Sequence, residues 1–321
     1  MRYVQLGQSG LTVSRICFGT WQFGGDWGAV DREGGVAAVR AALDQGVTFF
    51  DTAQAYGFGA SEALLAEGLG EDIHRDDVIV ATKGGLRLDG TRVLRDASPA
   101  YLRDGVEQSL RHLGVEAIDL YQVHWPDLGT PFEETGAALQ QLKDAGKIRH
   151  VGVSNFSPAE MEELSRAVEV ESDQPPYNLF NRGIEADVLP WVREHEVGLL
   201  VYGPLSHGLL SGNFDPSTLA DDDWRRGHEP FAGDALERNM ESVERLQEFA
   251  EARGHTLAQL AVAWVLAQPG VHVAITGARR PAHIEGVAPA ADIELSDAEL
   301  AEVDELSGAA RAWGLTPEGY D

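Results

Sequence analysis

A single cysteine, Cys17, in 321 residues leaves no intrachain disulfide to form. That points to a reducing compartment and a cytoplasmic protein. Lysine is nearly as scarce: Lys83, Lys143 and Lys147 are the only three among 25 basic residues, and arginine supplies the other 22. Fifty-two acidic side chains outweigh them, and the formal net charge of −27 argues against nucleic acid or an anionic membrane as a partner. No apolar run is long enough to span a bilayer; the longest, LAQLAVAWVLAQ at 257–268, reads as a buried helix. The opening MRYVQLGQSG has neither the basic start nor the apolar core of a signal peptide. No histidines pair at the H-E-x-x-H spacing, so no metal is expected. No G-x-G-x-x-G turn follows the first strand, which counts against a doubly wound sheet.

What is present is a chain rich enough in apolar residues, at 43%, to bury a large core. Residues 3–6 and 11–16 flank the turn GQSG and predict a short N-terminal β-hairpin. Strands are expected at 16–20, 47–51, 78–82, 118–123, 149–153, 172–177, 198–202 and 272–276. Between them lie amphipathic segments such as REGGVAAVRAALDQG, SPAYLRDGVEQSLRHLG and SPAEMEELSRAVEV; in the last two a Ser-Pro pair supplies a cap and a first-turn proline. Eight strands alternating with helices predict one (β/α)8 TIM-barrel domain over 1–321, with extra helices near the C-terminus. The segment 205–233, rich in Gly, Asp and Pro, reads as a long functional loop after strand seven. Its acidic stretch LADDDWRRGHEP is expected to act as a mobile lid.

A barrel assembles its chemistry where the strands end. Those positions read Thr20, Asp51, Lys83, His124, Ser154, Gln174, Tyr202 and Gly277, with Tyr56 just beyond strand two. Taken singly, Asp51 could cap a helix, Tyr56 could pack, Lys83 could snorkel and His124 could be a bonded core histidine. Together, on neighbouring strands, they make a tuned acid. A phenol near its reference pKa of about 10 is a poor donor at neutral pH. A nearby ammonium favours the phenolate, and a carboxylate holds that ammonium. A neutral imidazole can orient a carbonyl oxygen. A lysine in an arginine-rich chain suits chemistry rather than fixed charge.

These residues sit in GVTFFDTAQAYGFGASEALLAEGL (46–69), VIVATKGG (78–85), DLYQVHWPD (119–127), KIRHVGVSNFSP (147–158), VYGPLSHGLLSGNF (201–214) and ITGARRP (275–281). With them the chain resembles an aldo-keto reductase over nearly its whole length. The resemblance implies a (β/α)8 barrel, NADPH as the usual cofactor, and interconversion of carbonyls and alcohols by hydride transfer. It makes Asp51, Tyr56, Lys83 and His124 the catalytic tetrad, with Tyr56 the general acid. It places the nicotinamide carboxamide on Ser154, Asn155 and Gln174, beside Asp51, with Tyr202 stacked on the ring. Gly19, Thr20 and Trp21 would line the cofactor and substrate entrance. The pyrophosphate would lie along Gly203, Pro204, Leu205, Gly208, Leu210 and Gly212, and the adenosine phosphate at Gly277, Ala278, Arg279, Arg280 and His283. Trp21, Tyr56, Phe58, His124 and Trp125 would face the small carbonyl or alcohol substrate, with Phe23 and Trp27 nearby.

The chain departs from the family where Ser206-His207 and Gly212-Asn213 replace a usual Gly-Arg and Gly-Lys, and where Gly286-Val287 replaces a frequent Glu-Asn. NAD is therefore expected as a possible cofactor beside NADP. The N-terminal region also resembles the cytoplasmic β subunits of potassium channels, which implies a cofactor-binding regulatory protein as the alternative. A barrel glycoside hydrolase would need two catalytic carboxylates facing a sugar; only Asp51 is placed at a strand end, and Lys83 beside it would hold it ionised. Substrate identity and oligomeric state are left open by the sequence.

Overall fold

The computed structural model describes residues 1–308 except 26 and 222; residues 309–321, included in the expected domain, lie outside the described residues. Two short strands, β1 (Tyr3–Gln5) and β2 (Thr12–Ser14), pair antiparallel as the expected hairpin. The barrel strands are β3 (Ile16–Gly19), β4 (Phe49–Asp51), β5 (Ile79–Gly84), β8 (Ile118–Val123), β9 (Ile148–Ser154), β10 (Ser172–Gln174), β11 (Gly198–Tyr202) and β12 (Val273–Gly277). They run parallel in that order, and β12 pairs with β3 to close the cylinder. Between β5 and β8 lies a second hairpin, β6 (Leu86–Asp89) and β7 (Arg92–Arg95). The sequence reading passed over it, although Asp89-Gly90 at the turn, with Gly90 at φ +66°, is a recognisable hairpin signal.

The helices are α1 (Arg32–Asp44), α2 (Ala60–Leu69), α3 (Pro99–Leu113), α4 (Phe132–Asp144), α5 (Pro158–Leu164), α6 (Val188–Glu194), α7 (Gly233–Glu251), α8 (Leu257–Ala267), α9 (Pro281–Val287) and α10 (Asp297–Ser307). Ser98 and Ser157 cap α3 and α5 as their Ser-Pro pairs predict. The extra helices stand on both sides of the last strand: α7 precedes α8, and α10 follows α9. No helix among the described residues is long and apolar enough to cross a membrane.

Two boundaries differ from expectation. The strand expected at 172–177 stops at Gln174, because Pro175 and Pro176 carry no N–H for a ladder. The helix expected through Val170 stops at Leu164. Val168 and Val170 are instead buried, leading the chain into β10.

Side-chain alternation divides the core in two. Cys17, Phe49, Ile79, Ala81, Leu120, Leu200, Val273 and Ile275 fill the bore, and Leu6 and Val13 of the hairpin region close its N-terminal end. Phe18, Phe50, Val80, Tyr121, Val151 and Val201 belong to the layer shared with the helices. Each such fully buried apolar side chain contributes about 1.5–3 kcal/mol. The same alternation turns Asp51, Lys83, Gln122 and Gln174 into the bore, above its apolar filling.

Candidate active site

Lys83 is fully buried at the end of β5. Its Nζ donates to Asp51 Oδ1 at 2.6 Å, to the Thr52 carbonyl at 2.9 Å and to Tyr56 Oη at 3.3 Å. Three donors thus meet three acceptors, which offsets the cost of burying the ammonium. Asp51 Oδ2 accepts from the side-chain amides of Gln122 at 3.2 Å and Gln174 at 2.9 Å. Both carboxylate oxygens are therefore engaged, and the hydrolase reading, which needs a free one, loses its candidate. Gln122 was missed in the sequence reading. Its signal was available, since it stands two residues before His124 on the bore face of β8.

Tyr56 follows β4 in a loop that reverses at Gly57 and Gly59, both in the left-handed region at φ +64° and +103°. Its ring meets that of His124 edge-on, with centroids 5.6 Å apart. Burial, with Lys83 adding to it, holds the His124 imidazole well below its usual pKa. The ring is accordingly neutral at neutral pH. His124 Nδ1 is buried and has no hydrogen-bond partner among the described residues.

Ser154, Asn155, Gln174 and Tyr202 form a second ring of polar groups. Ser154 Oγ donates to the Gln174 carbonyl at 2.8 Å, and Tyr202 Oη donates to Asn155 Oδ1 at 2.9 Å. Asn155 Nδ2 donates to the His124 carbonyl at 3.1 Å. Asn155 sits at φ +63°, a left-handed position that Asn tolerates better than most residues. Gly19 ends β3, and Thr20 Oγ1 donates to the Asp51 carbonyl at 3.1 Å. The Trp21 ring lies 6.5 Å from that of Tyr56 at an interplanar angle of 30°.

The turn after β11 holds five left-handed residues: Gly203, Ser206, His207, Gly208 and Gly212. Such reversals present successive backbone N–H groups on one side. Ser206 and His207 carry side chains there, at a cost of roughly 1–2 kcal/mol each. Their strain is held by an aromatic cluster that the sequence did not reveal. The Trp224 ring lies 5.6 Å from Trp27, 6.3 Å from Trp21 and 5.1 Å from His207. Arg225 sits 5.2 Å from the Trp27 ring and donates to the His207 carbonyl at 3.0 Å. Burial, then Arg225 and His228, push the His207 imidazole down to about 4. The segment expected to be a lid is thus fastened to the loop after β3.

Four further site candidates have surroundings that the sequence did not reveal. The Arg279 guanidinium donates to the backbone carbonyls of Trp27 and Ala29 and so ties down the loop after β3. Arg280, next along, is exposed and forms no ion pair among the described residues. Phe58 is exposed and takes no part in the aromatic cluster among the described residues. The Trp125 ring lies 5.0 Å from the Arg95 guanidinium, which comes from the unforeseen hairpin. Ala278 is buried, and His283 Nδ1 accepts from the Arg279 N–H at 3.4 Å. Among the described residues no cluster of His, Cys, Asp or Glu could hold a metal ion.

A closed parallel barrel with this cluster at its C-terminal rim defines a class of barrel oxidoreductase, and comparison with known proteins agrees. The description "Aldo/keto reductase family" matches residues 15–308, and the chain belongs to that family. It is 42% identical to the aldo-keto reductase YhdN of Bacillus subtilis, over 89% of this chain and 88% of that one. The NADH-specific methylglyoxal reductase of Escherichia coli is 30% identical, over 96% and 99% of the two chains. The glycerol dehydrogenase AKR11B4 from Gluconobacter oxydans superposes with a TM-score of 0.89 at 39% identity, covering 98% of both chains. The protein is an oxidoreductase of the class that interconverts carbonyls and alcohols with a nicotinamide cofactor.

Proposed function

We propose that this chain reduces aldehydes or ketones, and oxidises the matching alcohols, with Tyr56 as the proton donor or acceptor. The carrying observation is the line of hydrogen bonds from buried Asp51 through buried Lys83 to the half-buried Tyr56 Oη. When bound, a nicotinamide dinucleotide supplies or takes the hydride. Tyr56 gives its phenolic proton to the oxygen as charge develops there, and the Lys83 ammonium beside it stabilises the phenolate left behind. Asp51, held by Gln122 and Gln174, keeps that ammonium in place. Neutral His124 orients the oxygen, while Trp21 and Trp27 form one wall of the entrance.

The residues present fit a nicotinamide dinucleotide. Ser154, Asn155 and Gln174 offer donors and acceptors to the carboxamide, and Tyr202 offers a ring. The left-handed run from Gly203 to Gly212 offers backbone N–H groups to the pyrophosphate. Gly277, Ala278, Arg280 and His283 border the adenosine end, with Arg280 the cation for a phosphate there. NADPH is our first choice on this account; the NADH preference named for the Escherichia coli relative makes NADH the competitor to test.

Following nicotinamide absorbance with NADPH or NADH and an activated aromatic aldehyde tests the reading. Arg280→Ala is expected to raise KM for NADPH by about tenfold, the scale of one charge-assisted hydrogen bond, and to leave KM for NADH unchanged. An equal rise for both cofactors would remove Arg280 as the phosphate ligand. Bound NADPH is expected to protect the 219–230 segment from protease. Equal cleavage rates with and without cofactor would end the lid reading. Tight cofactor binding without turnover on any carbonyl or alcohol would favour the regulatory alternative.

A further inference from the structure

The first turn of α2 ties together three barrel strands. Thr20, Thr52, Ser61, Glu62 and Thr82 are all fully buried, and all lie beside the tetrad rather than in it. The Ser61 hydroxyl donates to the Thr20 carbonyl at 3.0 Å and lies 2.8 Å and 3.1 Å from the hydroxyls of Thr20 and Thr52. The Ser61 backbone N–H donates to the Tyr56 carbonyl at 3.2 Å. Glu62 Oε1 accepts from Thr82 Oγ1 at 2.7 Å, and Oε2 accepts from His112 Nδ1 at 3.0 Å. Two adjacent residues of one helix thus reach the ends of β3, β4 and β5 and the backbone of the general acid.

A desolvated carboxylate is costly unless its oxygens are bonded. Both Glu62 oxygens are bonded, one to Thr82 and one to His112. What Glu62 adds is direction. Thr82 and Lys83 are neighbours on β5 and point to opposite faces, Thr82 toward the helices and Lys83 into the bore. Fixing the Thr82 hydroxyl from behind therefore fixes the roll of the strand end that carries Lys83. Ser61 does the same for the ends of β3 and β4, and for Tyr56. Both partners in the 3.3 Å contact between Lys83 Nζ and Tyr56 Oη are held from the helix side.

We infer that Ser61 and Glu62, acting through Thr82 and Thr20, are positioning residues that set the separation of Lys83 and Tyr56. This rests on Tyr56 being the proton donor. The groups facing the phenol are Lys83, Asp51 and His124; among the clamp side chains only Thr20 reaches one of them, through the Asp51 backbone carbonyl at 3.1 Å, and none touches a titrating atom. Its loss therefore acts through geometry alone. If Lys83 draws back, the phenolate loses stabilisation, and alcohol oxidation, which needs the phenolate, moves to higher pH.

The test compares Thr82→Val, which keeps the shape and removes the hydroxyl, with Thr82→Ser, which keeps the hydroxyl. Thr82→Val is expected to lower kcat for aldehyde reduction about tenfold, equivalent to ~1.4 kcal/mol of barrier. It is also expected to raise the pH midpoint of alcohol oxidation by about half a unit or more, with the Kd for NADPH within about twofold of the parent. Thr82→Ser should restore the parent profile. A Thr82→Val protein that melts lower but keeps the parent pH midpoint would overturn the inference and leave the clamp merely structural. Should Thr82→Val fail to fold, Ser61→Ala is read by the same two criteria. Tyr56→Phe measured alongside separates the two claims. Retained activity there sinks the assignment of the acid, whereas an inactive Tyr56→Phe with an unmoved Thr82→Val midpoint sinks only the clamp.

Discussion

Tyr56→Phe is expected to lower kcat for carbonyl reduction by about 10²- to 10⁴-fold, the usual worth of a positioned general acid. The ring, its edge-on contact with His124 and its packing near Trp21 all remain in the variant, so the loss falls on proton transfer. Cofactor binding, followed by quenching of the tryptophan fluorescence, should change little. Stability should not fall, because Lys83 keeps Asp51 and the Thr52 carbonyl as partners. Turnover within a few-fold of the parent would exclude Tyr56 as the acid, and His124 would then be the next group to test.

The second large effect is on stability, and it arises behind the site. Asp173 lies on β10 beside Gln174, but its side chain faces away from the bore and is fully buried. Neither of its carboxyl oxygens has a hydrogen-bond partner among the described residues. Burial pushes its pKa up to about 8; the nearby backbone amides of Gln174 and Phe156 lower it somewhat, and Glu160 raises it. The folded value therefore lies above the unfolded value of 3.8. A carboxyl shifted in this direction leaves stability intact below the unfolded value, and the loss accumulates as pH rises until the folded group ionises near 8. Asp173→Asn removes that dependence. Between about pH 5.5 and pH 8.5 the stability of the variant relative to the parent should rise by ~3 kcal/mol. Urea denaturation at the two pH values measures it, and parallel changes in both proteins would show that Asp173 does not control this pH range.

Much of the molecule is legible in the sequence alone. The eight barrel strands were read from short apolar runs at regular intervals, because a strand buried on both faces needs such a run. Asp51, Lys83 and His124 were read because strand ends on one rim of a barrel are neighbours in space. What could not be read was set by contacts between residues far apart in sequence. Gln122 supports Asp51 from another strand, and Trp224 reaches Trp21 and Trp27 from about 200 positions along the chain. Arg279 meets the Trp27 and Ala29 carbonyls from some 250 positions along the chain, a contact no motif announces.

The amino-acid sequence by itself determined the barrel, the oxidoreductase class and which residues we propose for proton transfer. Each depends on local periodicity or on a short motif whose neighbours are close in the chain. Only the tertiary structure decided which side chains hold those residues in place. It seats the segment after β11 on an aromatic cluster, sets Ser61 and Glu62 against the ends of three strands, and buries the Asp173 carboxyl on the side away from the bore. Burial and hydrogen-bond geometry are properties of the packed surface between elements, and no spacing within a single element specifies them.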